Sequence, residues 1–482
     1  MRTTCILTSL LLCLFILSCE EDYQGIYDDY EATTEDGDKY TDYGENPFLN
    51  AADYPLSTFS IDADGASFAN MRRYLMNGSL PPASSVRIEE YINYFTFDYT
   101  APQEQYIAIN SDMATCPWSE GHYLLRLGIK GKEYKESELP YSNYVFLVDV
   151  SGSMSANNKL PLLKKGLKLL VDNLRDYDRI SIVTYSGSVK VLLESTYLED
   201  REAIKNTIDK LDASGSTAGG EAIQMAYTIA TENFIPGGNN RIILGTDGDF
   251  NVGISSTSEL VELVKEKREN GVYLTVLGFG SGNLNDDMME QLADNGNGNY
   301  EYIDSEIGMK KVFIDEVEKL FTVAKDCKVQ VRFDSNMVDR YRLIGYENRV
   351  LDNEEYNNDS VDAGEIGAGQ TITAVYELIL KENAVAGQYA VFTARYKKPT
   401  GTVSIILKEA IDVAPVALEN ASENMRFAAG VTAFGLLMKQ SEYAGTVDRE
   451  MVLNLINNAH TFDSNGYRQD FVDLLEGYYS EE

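Results

Sequence analysis

Histidine and tryptophan are nearly missing from this chain, which holds two histidines, His122 and His460, and one tryptophan, Trp118, in 482 residues. A hydrolytic triad needs a histidine base beside its nucleophile, and these two lie far apart in different expected elements. HExxH, P-loop and GxSxG patterns are absent too, so the chain is read as a binding protein and not an enzyme. Positive charge is also scarce. The 41 basic residues stand against 76 acidic ones, a net charge of −35, which repels nucleic acid and suits a cation-attracting extracellular protein. Long apolar runs are confined to Ile6–Leu17, too short to span a bilayer comfortably and typical of the core of a signal peptide.

Cysteine is sparse and unevenly placed. Three of the five, Cys5, Cys13 and Cys19, fall in the first nineteen residues. Residues 1–18 are expected to be a signal peptide, and Ile16-Leu17-Ser18-Cys19 resembles a bacterial lipobox, in which the cysteine is lipidated and becomes the new N-terminus. Residues 19–46 are acidic, polar and without apolar periodicity, the composition of a disordered tether. Acidic residues directly behind Cys19 resemble the signal that sends some lipoproteins to the cell surface. The expectation is therefore a lipid-anchored protein of the bacterial envelope, at the outer membrane. The remaining Cys116 and Cys327 can form a disulfide in an oxidising compartment or stay as two buried thiols, and spacing leaves both open.

Patterning divides the rest. Residues 47–140 read as a flanking region with a helix over FANMRRYL, capped by Asp64, then RIEEYINYF, then strands such as YLLRLGIKG. Over 141–322, near-continuous apolar strands (YVFLV, ISIVTY, RIILGT, VYLTVLGFG) alternate with amphipathic helices, the signature of a doubly wound α/β sheet covered on both faces. Residues 323–416 return to strands and read as a β-sandwich-like module. Residues 417–482 are helical, with apolar positions at i, i+3 and i+4.

Oxygen-bearing loops close three pieces of the α/β unit: Asp149-Val-Ser151-Gly-Ser153 after its first strand, Ser214-Gly-Ser216-Thr217 before a helix, and Thr246-Asp247-Gly248-Asp249 after RIILG. Ligands of doubly wound sheets bind at the carboxyl ends of strands, where these loops fall. DxSxS, the lone Thr217 and the TDG at Asp247 together resemble von Willebrand factor type A domains with a complete metal-ion-dependent adhesion site. The resemblance implies a cation held by Asp149, Ser151, Ser153, Thr217 and Asp247. Hydroxyls with a few carboxylates make an all-oxygen site suited to Mg²⁺ ahead of Mn²⁺ or Ca²⁺. Such a site, not fully neutralised by its own ligands, accepts a carboxylate from a protein or other acidic partner. Asp249 is read as pointing away from the cation, in an Asx turn. Beyond this domain, FSIDADGASFANMRRYL, CPWSEGHYLLRLGIKGKE, TDGDFNVG and FAAGVTAFGLLMKQS resemble an uncharacterised bacterial lipoprotein family with no known activity. The alternative role is an envelope scaffold in which the metal only stabilises the fold.

Overall fold

The computed structural model describes residues 30–33, 37–61, 64–215, 219–248, 257–359, 361, 363–382, 384 and 387–480. The expected signal segment, Cys19, Thr217 and Asp249 lie outside them, and within the expected disordered tether 19–46 strand Tyr30–Thr33 pairs antiparallel with Lys39–Asp42, so that part is folded onto the protein.

The α/β unit is a six-stranded sheet of β1 (Ser142–Asp149), β2 (Arg179–Tyr185), β3 (Val189–Tyr197), β4 (Asn239–Thr246), β5 (Tyr273–Phe279) and β6 (Tyr300–Ile303), in the order β6-β5-β4-β1-β2-β3. Every pairing is parallel except that of edge strand β3 with β2. The central run of β1, Tyr144–Val148, is apolar at every position: Tyr144, Phe146 and Val148 enter the core on one face, Val145 and Leu147 the core on the other. A strand with period-two side chains and helices on both faces needs apolar residues at every position. The strand order reverses between β1 and β4, and the two strands that flank this reversal end in Asp149 and Asp247.

The segments before and after this unit are not independent modules. Strand Leu56–Ser60 pairs antiparallel with Thr322–Phe333, in a sheet that continues through Ala390–Lys397 and Ser404–Ile411. Strands Ile107–Thr115 and His122–Gly131 join Thr371–Leu380 and Val338–Ile344 in a second sheet. The two sheets pack face to face, with Phe333 stacked on Tyr341 at 4.1 Å between ring centres. The outer face of the second sheet is covered by helices from both chain ends. Phe95 of the flank meets Phe427 of helix Glu423–Lys439 edge-on at 4.9 Å, and Phe68 meets Phe471 at 5.2 Å. Periodicity reports which face of a strand is apolar but not which distant strand will pair with it, so the shared sheets were not readable from the alternation.

Several local expectations change. Helix Ala66–Met76 begins after Gly65 without a side-chain cap, and the N–H of Ser67 is instead met by Glu90 Oε2 at 2.7 Å from the next helix. Asp64 accepts a bond from Asn299 Nδ2 at 3.2 Å, tying the flank to the α/β unit. Cys116 and Cys327 are free thiols buried in two different apolar clusters, so the disulfide that spacing left open is not made. Burial pushes the Cys116 thiol up to about 12.

Buried charge fastens the α/β unit to the rest. Arg87, just before helix Ile88–Asn93, bonds Glu90 and also Asp286 Oδ2 at 2.6 Å, with Glu290 Oε2 at 3.6 Å. Arg349 of the sandwich reaches the same Glu290 at 3.0 Å. Arg72 forks onto both oxygens of Asp304 at 2.6 Å. Where the α/β unit hands over to the sandwich, burial would raise the Glu316 carboxyl, but Lys311 and Lys319 beside it hold it down to about 2.

Two outcomes follow. Removing one partner of a buried charge cluster leaves the others uncompensated, so Arg87→Met should lower stability by about 3–5 kcal/mol in urea denaturation. For Glu316, a depressed folded pKa stabilises the fold above the unfolded value of about 4.5, and that contribution is lost as pH falls from there towards 2. Glu316→Gln should abolish a pH-dependent component on the order of 3 kcal/mol, measured as unfolding free energy across that window.

Candidate metal centre

β1 ends at Asp149, whose side chain is fully buried. Its Oδ1 accepts the backbone N–H of Ser151 at 2.8 Å, which folds the chain back over the strand end. A single helical turn, Gly152–Ser155, follows, anchored by the buried Met154. This turn places the Ser151 and Ser153 hydroxyls 2.9 Å apart, the first buried and the second exposed. A strand that terminates in a carboxylate and two hydroxyls thus builds a graded mouth, from an enclosed acid to a solvent-facing oxygen.

β4 brings the second acid. Asp247, also fully buried, follows Thr246, whose hydroxyl donates to Asp149 Oδ2 at 3.2 Å and accepts the N–H of Gly248 at 3.1 Å. Gly248 has φ +92°, and a Cβ there would lie 2.7 Å from the backbone nitrogen of Asn285. The third residue of TDG is therefore fixed by both backbone conformation and close approach. Lys159, itself buried, donates from Nζ to Asp247 Oδ2 at 2.9 Å and to Asn283 Oδ1 at 3.0 Å.

Of the five expected ligands, Asp149, Ser151, Ser153 and Asp247 converge at this one end of the sheet. Thr217 falls outside the described residues, but the chain leading to it is attached to the first loop, with Ser214 N–H on Val150 O at 2.7 Å and Gly152 N–H on Gly215 O at 3.1 Å. Burial pushes the Asp149 carboxyl up to about 6, with the nearby Asp247 charge raising it further and the Ser151 and Thr246 bonds opposing. Two buried carboxylates beside a pair of hydroxyls form an oxygen-only donor set that fits a hard divalent cation. Among the described residues no three His, Cys, Asp or Glu side chains gather as a metal cage, so any cation here depends on the hydroxyls.

Two neighbours were not anticipated as site residues, Lys159 and Asn283. Lys159 left a signal, because a lysine immediately before a helix faces the positive end of the helix dipole and needs a compensating acid. Nothing in the sequence marks Asn283. The two histidines are elsewhere. His122 Nδ1 lies 2.5 Å from Glu377, a buried carboxylate shared with Trp118 and Arg342, and His460 contacts the Ile456 carbonyl near the end of the preceding helix Arg449–Asn457.

Residues 143–313 match the von Willebrand factor type A domain, and residues 34–126 a family described as von Willebrand factor. Domains of this class support metal-dependent protein binding in general. Residues 318–480 match the family described as uncharacterized protein YfbK, C-terminal. The uncharacterized protein YfbK of Escherichia coli (strain K12) is 42% identical over 465 residues, covering 91% of this chain and 80% of that protein. The chain belongs to the YfbK family of von Willebrand factor type A proteins. Inter-alpha-trypsin inhibitor heavy chain H2 of Homo sapiens is 30% identical over 165 residues, 32% of this chain and 17% of that one. A solved von Willebrand factor type A protein from Catenulispora acidiphila aligns over 79% of this chain and 91% of its own at 15% identity, with a TM-score of 0.45.

Proposed function

We propose that this is a lipid-anchored protein of the bacterial envelope that binds a protein or other acidic ligand through a divalent cation, most readily Mg²⁺. Asp149, Ser151, Ser153, Thr217 and Asp247 hold the cation, the hydroxyls directly and the aspartates directly or through water. The observation that carries this reading is the pair of fully buried carboxylates, Asp149 and Asp247, at the reversal of strand order, with the Ser153 hydroxyl facing solvent above them. Burying two like charges together is costly unless a cation offsets them. An exposed oxygen at the rim leaves the cation a side open to a ligand.

The second reading is a scaffold in which the cation only stabilises the fold. The depth of both carboxylates favours it, since a structural ion needs no open side. Envelope placement rests on Cys19 and the apolar segment before it. No helix of the described residues is long and apolar enough to cross a membrane.

By calorimetry the full mature chain should take up one Mg²⁺ or Mn²⁺, and Asp247→Ala should reduce uptake at least about a hundredfold while leaving the circular dichroism spectrum unchanged. The loss is large because Mg²⁺ tolerates a distorted octahedral shell poorly. Equal uptake by the two proteins would turn the site into a set of helix caps and turn bonds. For the anchor, Cys19→Ser should release the protein from the membrane fraction or leave an uncleaved precursor. A cleaved Cys19→Ser protein that still sediments with membranes would rule out lipidation.

A further inference from the structure

Lys159 is built into the metal centre more tightly than a passing ion pair requires. Its stem lies on Gly280, where φ is +75° and an added Cβ would sit 2.1 Å from Lys159 Cε and 2.7 Å from Cγ. Any side chain at 280 would displace the lysine. The carbonyl of Gly280 is in turn fixed by the Tyr302 hydroxyl at 2.6 Å. The loop that carries Asn283 is pinned from outside the α/β unit: Asp38 Oδ1 accepts the N–H groups of Gly282 at 2.7 Å and Leu284 at 3.0 Å, and Lys39 N–H reaches Leu284 O at 2.9 Å. Asp38 is itself paired with Arg73 at 2.9 Å. The ammonium therefore has little freedom to leave Asp247 Oδ2, and it stands at the start of helix Leu160–Asn173, where a cation is disfavoured.

A lysine kept there against that preference changes the charge of the centre. Asp149 and Asp247 contribute two negative charges and Lys159 one positive, so these three groups sum to −1. A bound divalent cation turns that sum into +1. Without Lys159 the same cation would be neutralised by the two aspartates, and its remaining coordination positions would favour water over an anion.

We propose that Lys159 is the residue that sets the ligand preference of the metal centre: a fixed counter-charge that weakens cation binding while keeping the loaded centre one positive charge in excess, and so selective for a carboxylate. This rests on the metal reading above and adds to it a positioning residue outside the ligand set.

A fixed counter-charge and a merely structural lysine differ in sign. Damage to the fold would weaken both cation and anion binding, whereas loss of a counter-charge tightens the first and weakens the second. The probes are Mn²⁺ alone, titrated by calorimetry, and acetate, titrated into the Mn²⁺-loaded protein and read from water-proton relaxation as it displaces coordinated water. Lys159→Met should bind Mn²⁺ at least about tenfold more tightly and acetate at least about tenfold more weakly, as expected for one unit charge a few ångströms from the ion. Asn283→Asp keeps the lysine packing and neutralises the ammonium in place, and it should shift both affinities in the same directions. This second variant keeps the test valid if Lys159→Met folds poorly. Unchanged affinities, or parallel loss of both, in a wild type that binds Mn²⁺ would overturn the counter-charge and leave the metal site standing. Failure of the wild type to take up Mn²⁺ at all would overturn both.

Discussion

Two carboxylates are buried side by side where a parallel sheet reverses its strand order, and much of what surrounds them limits the cost of that burial. Asp149 and Asp247 are both fully enclosed. One is met by a backbone N–H and a threonine hydroxyl, the other by the Lys159 ammonium. The bonds to Asp149 do not offset its burial, which leaves that carboxyl raised. A parallel sheet makes the placement possible, because adjacent strands running the same way deliver their C-terminal loops to one edge and the reversal opens a crevice between them. The rigidity of β1 and β4, apolar on both faces, means the acids cannot retreat from one another.

The surrounding modules serve that rigidity. Arg87, Asp286, Glu290 and Arg349 join the flank, the helix after β5 and the sandwich in one buried charge cluster. Asp286 is also the first residue of the helix that follows the Asn283 loop. The cluster and the Asp38 clamp therefore act on opposite ends of the same short stretch, residues 280–286. Solvent-exposed ion pairs would do this weakly, but buried ones in fixed geometry resist displacement because any opening leaves a charge unpaired.

How much of this was legible depended on whether the information was local. DxSxS and TDG could be read because a strand end, a glycine turn and oxygen side chains occupy consecutive positions, and the four residues they nominate, Asp149, Ser151, Ser153 and Asp247, converge at one strand-end mouth. The α/β alternation was legible for the same reason, since each buried strand carries a near-continuous apolar run. The shared sheets were not, because the pairing of Leu56–Ser60 with Thr322–Phe333 spans the whole α/β unit. Asp64 was misread as a cap because its local spacing is right for one, while the group that meets Ser67 comes from Glu90 in another helix. Asn283 had no local signature at all. Its role arises only when β5, β4 and the segment around Asp38 are brought together.

The clamp at Asp38 has a consequence for how the centre would face a membrane. Residues 37–40 run beside the loop that holds Asn283, with Lys39 bridging Asn285 in parallel. The chain therefore arrives from its N-terminus at the rim of the metal centre and not at the far side of the α/β unit. Strand Tyr30–Thr33 folds back antiparallel along Lys39–Asp42, so the stretch between Cys19 and this hairpin is residues 20–29, which at full extension reach roughly 35 Å. On the proposed anchoring, this hairpin and the rim beside it would be the part of the protein tied nearest the bilayer. The acidic composition of residues 20–29 would then act beside this hairpin and the adjoining mouth. It repels anionic headgroups and raises the local concentration of divalent cations, where a site whose own lysine weakens cation binding would gain most from it.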